Sequence, residues 1–585
     1  MARSTFRSRV TVGALALALL AAGCGNSKSS TGSSGNDSNN KGANTANKLA
    51  QVDCGTLKYD VNAPTGGTFT DYAWDSDAAD NTSFDPGVNQ TLNLAQVTTS
   101  IFRGLTNFDF SKKCSPVLKG DVAASWKANS DATQYVFKIK PGRVFSNGEP
   151  VLPHNFKQAW TRAGSKDLAS PYGYLINYVK GGAALLAGTS KTLPGVIADD
   201  KNLTLTVKLA SPNADFAAIV SHSFFSPISD ADMKNPKTAK AGWGFAGATI
   251  GNGPYMLSSA PAPDQDITLV PNPKWQGNVY GDTKVHLAKI IFKATTDVPT
   301  AYQAFDSGQG DDSIIPPGQY AAAEKKYPNN TVKDPNMGTY YFDIGAVPEL
   351  SGPKNLELRK AISLAINRVE INNKVYEGSR TISTGITPPG IPGYAPDLCQ
   401  YCHFDLTAAK QHLAKWEAAG NTISSPIKLE YNPGGAHQTV AEIMQADLKA
   451  AGIASKLDPL AQDYFVDVAK PGACNVCRSG WYADYPTYGN FMVDLFSKAS
   501  IDGNNFGRYD NPEFEKAIAK AQAETDATKR GLDYQAAEKI LLNVDVTTIP
   551  LNWYNGGNVA RANVLNFDQP PLGIYNWERV ALAKG

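Results

Sequence analysis

The chain has 585 residues, too many for one compact core, and this length predicts two to four domains or lobes. Hydrophobic residues make up 42% of the chain and charged residues 19%, which is a globular composition. Lys plus Arg (55) nearly balances Asp plus Glu (54), so the charge gives no reason to expect a nucleic-acid partner or an anionic membrane face.

The first 24 residues have the features of an export signal. Three arginines and no acidic residue precede a short apolar run that ends in small residues at Cys24. The run is too short for a stable membrane span. Its end, "LLAAGC", resembles the bacterial lipoprotein box, with Ala21 where that box most often has Leu, and this implies that Cys24 becomes lipidated. Ordinary secretion, with Cys24 lost in the signal, is the alternative.

Residues 25–50 are rich in Ser, Asn and Gly and show no apolar periodicity, which predicts a flexible tether. A lipidated cysteine, a tether and a large body together describe a protein hung from a membrane. We therefore expect an extracytoplasmic protein, lipid-anchored to the outer face of the bacterial cell membrane.

The remaining cysteines are even in number, which in an exported chain predicts disulfides. Cys54 and Cys114 are the natural long-range pair. The connectivity of the others stays open, because two cysteines of a C-x-x-C motif that lies in a strand face opposite sides. A zinc site is the alternative, which the long gap between the two motifs disfavours. The motif cysteines are Cys399, Cys402, Cys474 and Cys477.

Strand-like and helical segments alternate along the chain without a repeat. Alternating apolar residues predict strands over 133–142 and 203–212, and a short helix is predicted over 154–164. Segments 251–260 and 266–273 predict a hairpin. This mixture of helices and strands with irregular spacing predicts a multi-lobe α/β or α+β protein.

The clearest helix is predicted over 355–375, with one apolar face made by Leu358, Ile362, Ala365 and Val369. The C-terminal half of the chain contains further patterns of the same kind. They predict helices over 439–451 with Gly452 as a stop, 512–524 and 535–545, and a strand over 547–554.

The chain contains no P-loop, no G-x-S-x-G and no H-E-x-x-H motif, and its six histidines show no metal-ligand spacing. We therefore predict no enzyme, no metal and no cofactor. A catalytic triad dispersed over the chain remains open. An exported, tethered protein of several lobes without a catalytic motif is more naturally a binding protein.

Several segments, in order, resemble the large extracytoplasmic solute-binding proteins of peptide ABC importers. Each segment is short, but the shared order makes the resemblance specific for the family, from about residue 65 to the C-terminus. Asn367 stands where the family usually has Asp. The segments are 81–87, 122–156, 251–275, 358–368, 478–496 and 509–521.

The resemblance implies an α/β protein with a two-lobe periplasmic-binding-protein-like fold and an extra α+β domain inserted in lobe I. Lobe I would hold 55–102, 227–337 and 556–585, the inserted domain 103–226, and lobe II 338–555. The strands that connect the lobes would form a hinge.

The stretch "WYADYPTYGNF" contains the carboxylate that the resemblance marks as important. In oligopeptide-binding members the Asp of a W-x-A-D-Y motif holds the free α-ammonium of the ligand, and Asp484 occupies that position between Trp481, Tyr482 and later tyrosines. A carboxylate desolvated by aromatic walls is stable only when it meets a cation. An ordinary turn aspartate is the alternative.

Other positions carry over from the family motifs as ligand-binding residues. Arg478, Asn432 and His437 match residues that reach the ligand backbone or carboxylate. Tyr172 matches a tyrosine near the ligand N-terminus, and Tyr341 matches a tyrosine that lines the cleft. Each also has a structural alternative, as an ion-pair partner, a loop residue or a core aromatic. Gln462 falls where peptide binders can have a cleft tryptophan.

These observations predict a monomeric, lipid-anchored binding protein that captures oligopeptides and delivers them to ABC permease subunits. Backbone pairing along an extended peptide would give affinity that does not depend on sequence. The alternatives are the same fold binding an oligosaccharide, a nickel chelate or an opine-like compound, an exported hydrolase with a dispersed triad, or a sensor that presents a signalling peptide.

Overall fold

The structure, a computed structural model, describes residues 54–584 apart from 74–83, 89–90, 236–248, 260–264, 296, 329, 435 and 461–463. The predicted signal, Cys24 and the tether lie outside the described residues, as does Gln462. Within the described ranges, no helix is long and apolar enough to cross a membrane.

Two six-stranded mixed sheets form the centres of two lobes. In the lobe I sheet, two parallel pairs surround Thr68–Tyr72, and antiparallel strands complete both edges. Its strands, in spatial order, are Asn558–Ala560, Asp312–Ile314, Thr68–Tyr72, Lys289–Phe292, Ile267–Pro271 and Tyr255–Leu257. All of them come from the ranges predicted for lobe I, and the last two confirm the predicted hairpin.

The lobe II sheet is built around one long strand, Pro335–Ile344, nine of whose ten residues are buried. Burial on both faces explains why this strand shows no alternation of apolar and polar residues, and its polar side chains Asn336, Thr339 and Asp343 are buried with the rest. The strands, in spatial order, are Thr381–Ile382, Thr548–Asn555, Pro335–Ile344, Val476–Tyr482, Ile427–Tyr431 and Ser455–Pro459. The boundary predicted at 337/338 falls inside the long strand.

The segment 103–226 carries a four-stranded antiparallel sheet of its own. Gln134–Ile139 alternates buried and less buried residues, as the sequence predicted for this strand. Its strands, in spatial order, are Ala123–Ala128, Gln134–Ile139, Thr204–Lys208 and Val196–Asp199. Two small antiparallel pairs complete the sheets of the described residues: Thr106–Asp109 with Val117–Gly120, and Val564–Leu565 with Ala581–Leu582.

The helices cover the faces of these sheets, and their ends follow local sequence. Gly452 adopts a left-handed conformation (φ 91°) and ends the helix His437–Ala451 where the sequence predicted. The α-helices are Leu92–Ile101, Pro153–Ala163, Gly182–Leu186, Phe216–Ile219, Asp230–Lys234, Val298–Asp306, Tyr320–Lys326, Leu356–Ala365, Arg368–Tyr376, Leu406–Ala418, His437–Ala451, Tyr464–Val468, Gly489–Phe496, Pro512–Ala523 and Ala527–Lys539. Short 3₁₀ turns lie at Gly173–Tyr178, Ser223–Phe225, Pro353–Asn355 and Lys498–Ser500, and a π-helical turn follows at Ile540–Asp545.

The helix predicted over 355–375 is in fact two helices, because the backbone is extended at Ile366 (ψ 120°). Asn367 then caps the second helix by accepting a hydrogen bond from the backbone of Glu370. The Arg368 guanidinium donates to the carbonyls of Ile366 and, one turn earlier, Ser363, which the break leaves without helical partners. Val369 is 52% exposed, so its place on the apolar face was wrong.

Three disulfides join the described cysteines. Cys54 pairs with Cys114, as predicted, and each C-x-x-C motif closes on itself, Cys399 with Cys402 and Cys474 with Cys477. The last pair is possible because the strand begins only at Val476, so Cys474 lies in the preceding turn.

Two large hydrophobic cores and two small clusters lie in the described part of the chain. The smaller of the two large cores packs around the lobe II sheet. The larger combines side chains of the lobe I sheet and the 103–226 segment with those of Gly489–Phe496, Pro512–Ala523 and Ala527–Lys539. These three helices belong to the range predicted for lobe II, and they pack on the 103–226 segment.

Two neighbouring chain segments connect the lobes. Gly556 donates from its backbone to Asp334, and Val332 donates to Asn558, so the segments 331–335 and 555–559 are hydrogen-bonded where they pass from one sheet to the other. A paired, two-segment connection of this kind is typical of a hinge between lobes.

Candidate functional site

A cavity of about 730 Å³ lies where both lobes and the 103–226 segment meet. Leu92 and Tyr575 border it from lobe I, and His222 borders it from the 103–226 segment. Its size is that of a site for a small molecule or short peptide. Five of the predicted ligand-binding residues also line it: Asp484, Trp481, Tyr482, Tyr172 and Tyr341.

Asn490 holds the loop that carries Asp484. The strand Val476–Tyr482 ends two residues before Asp484, and Asn490 lies in the first turn of the next helix. The Asn490 Oδ1 accepts from the backbone N–H of Asp484 at 3.0 Å and from the Trp481 indole at 2.9 Å. Asn490 is fully buried, so this polar contact fixes the loop against the sheet.

The Asp484 carboxylate lies in the cavity wall with only 10% of its side chain exposed. The Tyr172 hydroxyl donates to Oδ1 at 3.1 Å, and Asn490 Nδ2 lies 3.3 Å from Oδ2. Burial and the nearby Asp494 raise the pKa of Asp484 from 3.8 to about 7, against the opposing effect of the two donors.

Asp494 is a second buried carboxylate, one helical turn after Asn490, and is 1% exposed. It accepts from Asn490 Nδ2 at 2.9 Å, from the Tyr178 hydroxyl at 2.8 Å and from the Tyr485 hydroxyl. Burial raises its pKa to about 6 although these donors oppose the rise. One amide group, that of Asn490, therefore bridges two carboxylates.

His222 is the nearest group that could balance Asp484, with Nε2 at 3.7 Å from Oδ1. Burial lowers the pKa of His222 to about 3, so the ring is neutral. The backbone N–H of Phe224 donates to Nδ1 at 3.2 Å, which leaves the proton on Nε2, facing Asp484. Asp484 therefore has no charged counter-ion among the described residues.

The other residues that line the cavity differ in how much they offer a ligand. Tyr482 stacks on Tyr554 with ring centres 4.6 Å apart. Tyr341 is only 1% exposed and packs against Phe496, so it contributes to the wall more than to contacts. The Tyr174 hydroxyl is buried and has no hydrogen-bond partner, and this residue also lines the cavity.

Arg478 and His437 lie in a second cluster, next to the cavity rather than on its lining. The Arg478 guanidinium is 5.3 Å from the Tyr340 ring centre and 5.7 Å from that of Phe465, which does line the cavity. Tyr340 Oη and His437 Nδ1 are 2.9 Å apart, and burial lowers the pKa of His437 to about 2.

Asn432 is absent from the cavity lining, and its Oδ1 is buried without a hydrogen-bond partner. The structure therefore brings together the five predicted residues that line the cavity, Asp484 among them. It groups Arg478 with His437 next to the cavity. Asn432 belongs to neither group.

Sequence reasoning missed four residues of the site: Asn490, Asp494, His222 and Tyr174. Asn490 and Asp494 lie four residues apart in the apolar stretch 489–496, and this spacing was a usable indication that two polar side chains face one way. Tyr174 follows Tyr172 by two residues. His222 carries no local pattern that points to Asp484, which is 262 positions away in the sequence.

Comparison with known proteins agrees with this architecture. The chain is 28% identical over 493 residues to the periplasmic murein peptide-binding protein MppA of Escherichia coli K12, covering 82% of this chain and 87% of that protein. It is 27% identical over 497 residues to the periplasmic oligopeptide-binding protein OppA of Haemophilus influenzae, covering 82% and 88%. The crystal structure of Haemophilus influenzae OppA in complex with RPPGFSPFR superposes with a TM-score of 0.71 at 24% identity, covering 90% of this chain and all of that one.

The family model described as bacterial extracellular solute-binding proteins, family 5 Middle, matches residues 117–503. This range includes the 103–226 segment almost entirely, the long strand of lobe II and the loop that carries Asp484. The chain belongs to the family 5 bacterial extracellular solute-binding proteins.

Proposed function

We propose that this protein captures oligopeptides in the cavity beside Asp484 and delivers them to the membrane subunits of an ABC importer. One observation carries the proposal: Asp484 is a buried carboxylate, faces an aromatic cavity and has no charged partner among the described residues. A free α-ammonium group is the cation that would complete this site. The relatives named for murein peptide and oligopeptide binding support the same ligand class.

The groups around Asp484 suit an ammonium ion. Its three hydrogens need acceptors, and the Asp484 oxygens, the Tyr172 oxygen and the free Tyr174 hydroxyl oxygen are all on or next to the cavity wall. A charge-assisted contact in this setting is stronger than a neutral one and fixes the register of the peptide. We propose Trp481 and Tyr482 as the aromatic walls beside this contact and Tyr341 as part of the lining.

Arg478 is the proposed partner of the ligand carboxylate. Its Nε is buried without a hydrogen-bond partner, and the neutral His437 ring lies against Tyr340, the ring that Arg478 also contacts. A guanidinium with an unused N–H group is suited to a planar, two-point contact with a carboxylate. Asn432, with its unpartnered Oδ1, is the proposed contact to the ligand backbone.

The geometry does not favour covalent chemistry at this site. A hydrolytic triad built on Asp484 and His222 needs a serine on the ring nitrogen opposite the carboxylate, but that nitrogen, Nδ1, accepts from the backbone of Phe224. We therefore propose a binding role without enzymatic activity, in which ligand biases an equilibrium between open and closed lobes.

Native mass spectrometry of gently purified protein without the tether tests the ligand class, followed by denaturing extraction and sequencing of what is bound. A ladder of masses that resolves into short peptides supports the proposal. A single sugar or metal-chelate mass keeps the fold and overturns the peptide assignment. If the protein is empty, titration with peptides decides, and failure of every peptide to bind overturns the proposal.

We also propose that Cys24 anchors the protein to the outer face of the cell membrane through a lipid. The lipoprotein-like box and the tether-like composition of residues 25–50 support this location. Cys24→Ala should move the protein from the membrane fraction to the soluble extracytoplasmic fraction. Unchanged membrane attachment of the variant would remove the lipid-anchor proposal and leave peptide binding unaffected.

A further inference from the structure

Two arginines next to the cavity lack an acidic partner. Neither Arg380 nor Arg478 forms an ion pair with an Asp or Glu of the described residues, and both are half-buried. Arg380 donates one hydrogen bond, to the backbone carbonyl of Asn555 at 3.2 Å. Other arginines with similar burial are held more fully. Four of them meet carboxylates: Arg103 with Glu578, Arg162 with Asp85, Arg530 with Asp215 and Arg579 with Asp282. Arg359, Arg368 and Arg561 have no acidic partner among the described residues, but each donates to three backbone carbonyls.

Four tyrosines, Tyr340, Tyr376, Tyr482 and Tyr554, surround these two guanidiniums, and we call them the tyrosine box. The Arg380 guanidinium lies 5.2 Å from the ring centre of Tyr376 and 5.0 Å from that of Tyr554. Arg478 lies over a different ring, that of Tyr340. Ring faces attract cations but carry no charge, so they neutralise neither guanidinium.

The phenols of the tyrosine box stay neutral as well. Burial is the largest cause that raises the phenol pKa in each of the four, and it takes the pKa of Tyr482 to about 12. Both arginines oppose this rise at Tyr376 and Tyr554, which places the two positive charges around the same pair of rings. The box therefore contains two positive charges and no negative one among the described residues.

The backbone makes room for this arrangement. A side chain at Gly480 would place its Cβ 2.4 Å from the Tyr554 hydroxyl, and one at Gly338 would lie 2.5 Å from the Tyr554 ring. Gly480 and Tyr482 also line the cavity, and Tyr482 stacks on Tyr554, so the tyrosine box adjoins the ligand space through Tyr482. Two glycines on adjacent strands thus allow a ring to lie between the arginines and next to the cavity.

We infer that Arg380 and Arg478 together form a site for two carboxylates, so that this protein favours peptides whose last residue is Asp or Glu. One carboxylate neutralises one guanidinium, and the two guanidiniums stand over different rings whose centres are 6.4 Å apart. A peptide that ends in an acidic residue supplies an α-carboxylate and a side-chain carboxylate on the same residue. This inference rests on the proposed function, and it adds Arg380 as the residue that determines the preference.

The test compares alanine tri-, tetra- and pentapeptides that end in Glu with the same peptides that end in Gln, by isothermal titration calorimetry. The wild type should bind the Glu member of at least one pair about tenfold more tightly, as one charge-assisted contact would give. Arg380→Gln should bring that ratio to about one while the effect of N-acetylating the peptide is unchanged. Arg380→Lys keeps the positive charge but loses the planar guanidinium that can donate two parallel hydrogen bonds, so it should keep only part of the preference for Glu over Gln.

Lys374→Gln is the matched control. It removes the same charge six residues earlier, from an exposed lysine that pairs with Glu370, and should leave the Glu-to-Gln ratio as in the wild type. If Arg380→Gln fails to fold, the ratio in Arg380→Lys decides in its place.

Equal binding of every Glu and Gln pair by the wild type, or an undiminished preference in both Arg380 variants, overturns this inference and leaves the proposed function standing. Failure of all the peptides to bind overturns the proposed function and this inference with it. A merely structural role of Arg380 would weaken both members of each pair equally, which also counts against the inference.

Discussion

Replacing Asp484 with Asn separates the binding role of this carboxylate from its effect on folding. The Asn side chain has nearly the same shape and can still accept from Tyr172 or Asn490, but it cannot balance an ammonium ion. We expect Asp484→Asn to lose affinity for peptides with a free N-terminus and to gain stability at pH 8. A residue that serves only the fold would show neither the selective loss nor the gain.

The loss of affinity follows from the burial of the contact. With 10% of the Asp484 side chain exposed, a bound ammonium would be largely desolvated. Removing one partner of such a pair costs about 2 to 5 kcal/mol, which is a loss of roughly 30- to 4,000-fold. The same peptide with an acetylated N-terminus already lacks the charge, so Asp484→Asn should change its affinity little.

The gain of stability follows from the raised pKa. The pKa of Asp484 is 3.8 in the unfolded chain and about 7 in the fold, so between these values the folded protein holds a proton that the unfolded chain releases. Stability therefore falls as the pH rises through this window, and the full penalty, on the order of 4 kcal/mol, is reached above it. Asn avoids the penalty but loses about 1 kcal/mol in hydrogen-bond geometry. In a chain of this size, the net effect is a rise of about 2 to 3 °C in Tm at pH 8 and none at pH 4.

Calorimetric titration of one peptide, free and N-acetylated, against wild type and Asp484→Asn gives a thermodynamic cycle of the double-mutant type. In this cycle the effects of the acetylation and of the substitution on affinity should be strongly non-additive. Asp510→Asn is the matched control, because Asp510 is 41% exposed and pairs with Lys498 away from the cavity. Fully additive losses would show that Asp484 and the peptide N-terminus do not meet, and an unchanged Tm at pH 8 would show that its carboxylate carries no burial penalty.

Three further expectations follow from the same contacts. Peptide affinity should fall about tenfold per pH unit below about pH 7, because Asp484 takes up a proton, and it should fall again above about pH 8, because the peptide amine loses one. Calorimetric titrations from pH 5 to pH 9 measure this dependence, and an affinity that does not change with pH contradicts it. Asn490→Asp removes the donor shared by Asp484 and Asp494 and adds a third carboxylate. Urea unfolding at pH 8 should therefore show a free energy of unfolding lower by about 3 kcal/mol or more, with a smaller loss at pH 5. An equal loss at both pH values would refute the electrostatic cause. Replacing Cys54 and Cys114 by Ser should lower the free energy of unfolding by about 4 kcal/mol, because it opens a loop of 60 residues. Replacing either C-x-x-C pair should lower it by about 2 kcal/mol. Equal losses in urea unfolding would show that loop entropy is not the cause.

Local patterns were enough to predict much of the fold. The strand Gln134–Ile139 and the helix His437–Ala451 follow from periodicity within ten to fifteen residues, and Gly452 ends the helix where its conformation allows. The break at Ile366 could not be read in the same way. It depends on Arg368, whose guanidinium also reaches the carbonyl of Pro550 in another strand, and periodicity does not reveal that contact.

The candidate site was predictable only as far as the family resemblance reached. It marked Asp484 and Tyr172, which the structure joins by a hydrogen bond across 312 positions of sequence. It did not mark Asn490 or His222, because the role of each depends on which distant side chain it faces. Arg380 was missed for a further reason: it has no acidic partner and donates only one hydrogen bond among the described residues, and a sequence does not show which charges are left unbalanced.

We expect ligand binding and lobe closure to be coupled electrostatically in this arrangement. Asp484 and Asp494 come from lobe II, whereas the hydroxyls that donate to them, of Tyr172 and Tyr178, come from the 103–226 segment. A movement that separates these two parts would break both hydrogen bonds, while Asp494 would keep Asn490 and Tyr485 as donors. Closing the cleft without a ligand would therefore enclose Asp484 beside Asp494 with no cation.

An ammonium group that enters with the peptide would supply the missing charge as Asp484 becomes enclosed. The ligand thus has a larger favourable interaction with the closed form than with the open one, and this difference is the condition for shifting the equilibrium between them. Burial raises the pKa of Asp484 to about 7, so enclosing this carboxylate without a cation disfavours the empty closed form. The buried charge that lowers the stability of the empty fold is, on this reasoning, what makes closure depend on the peptide.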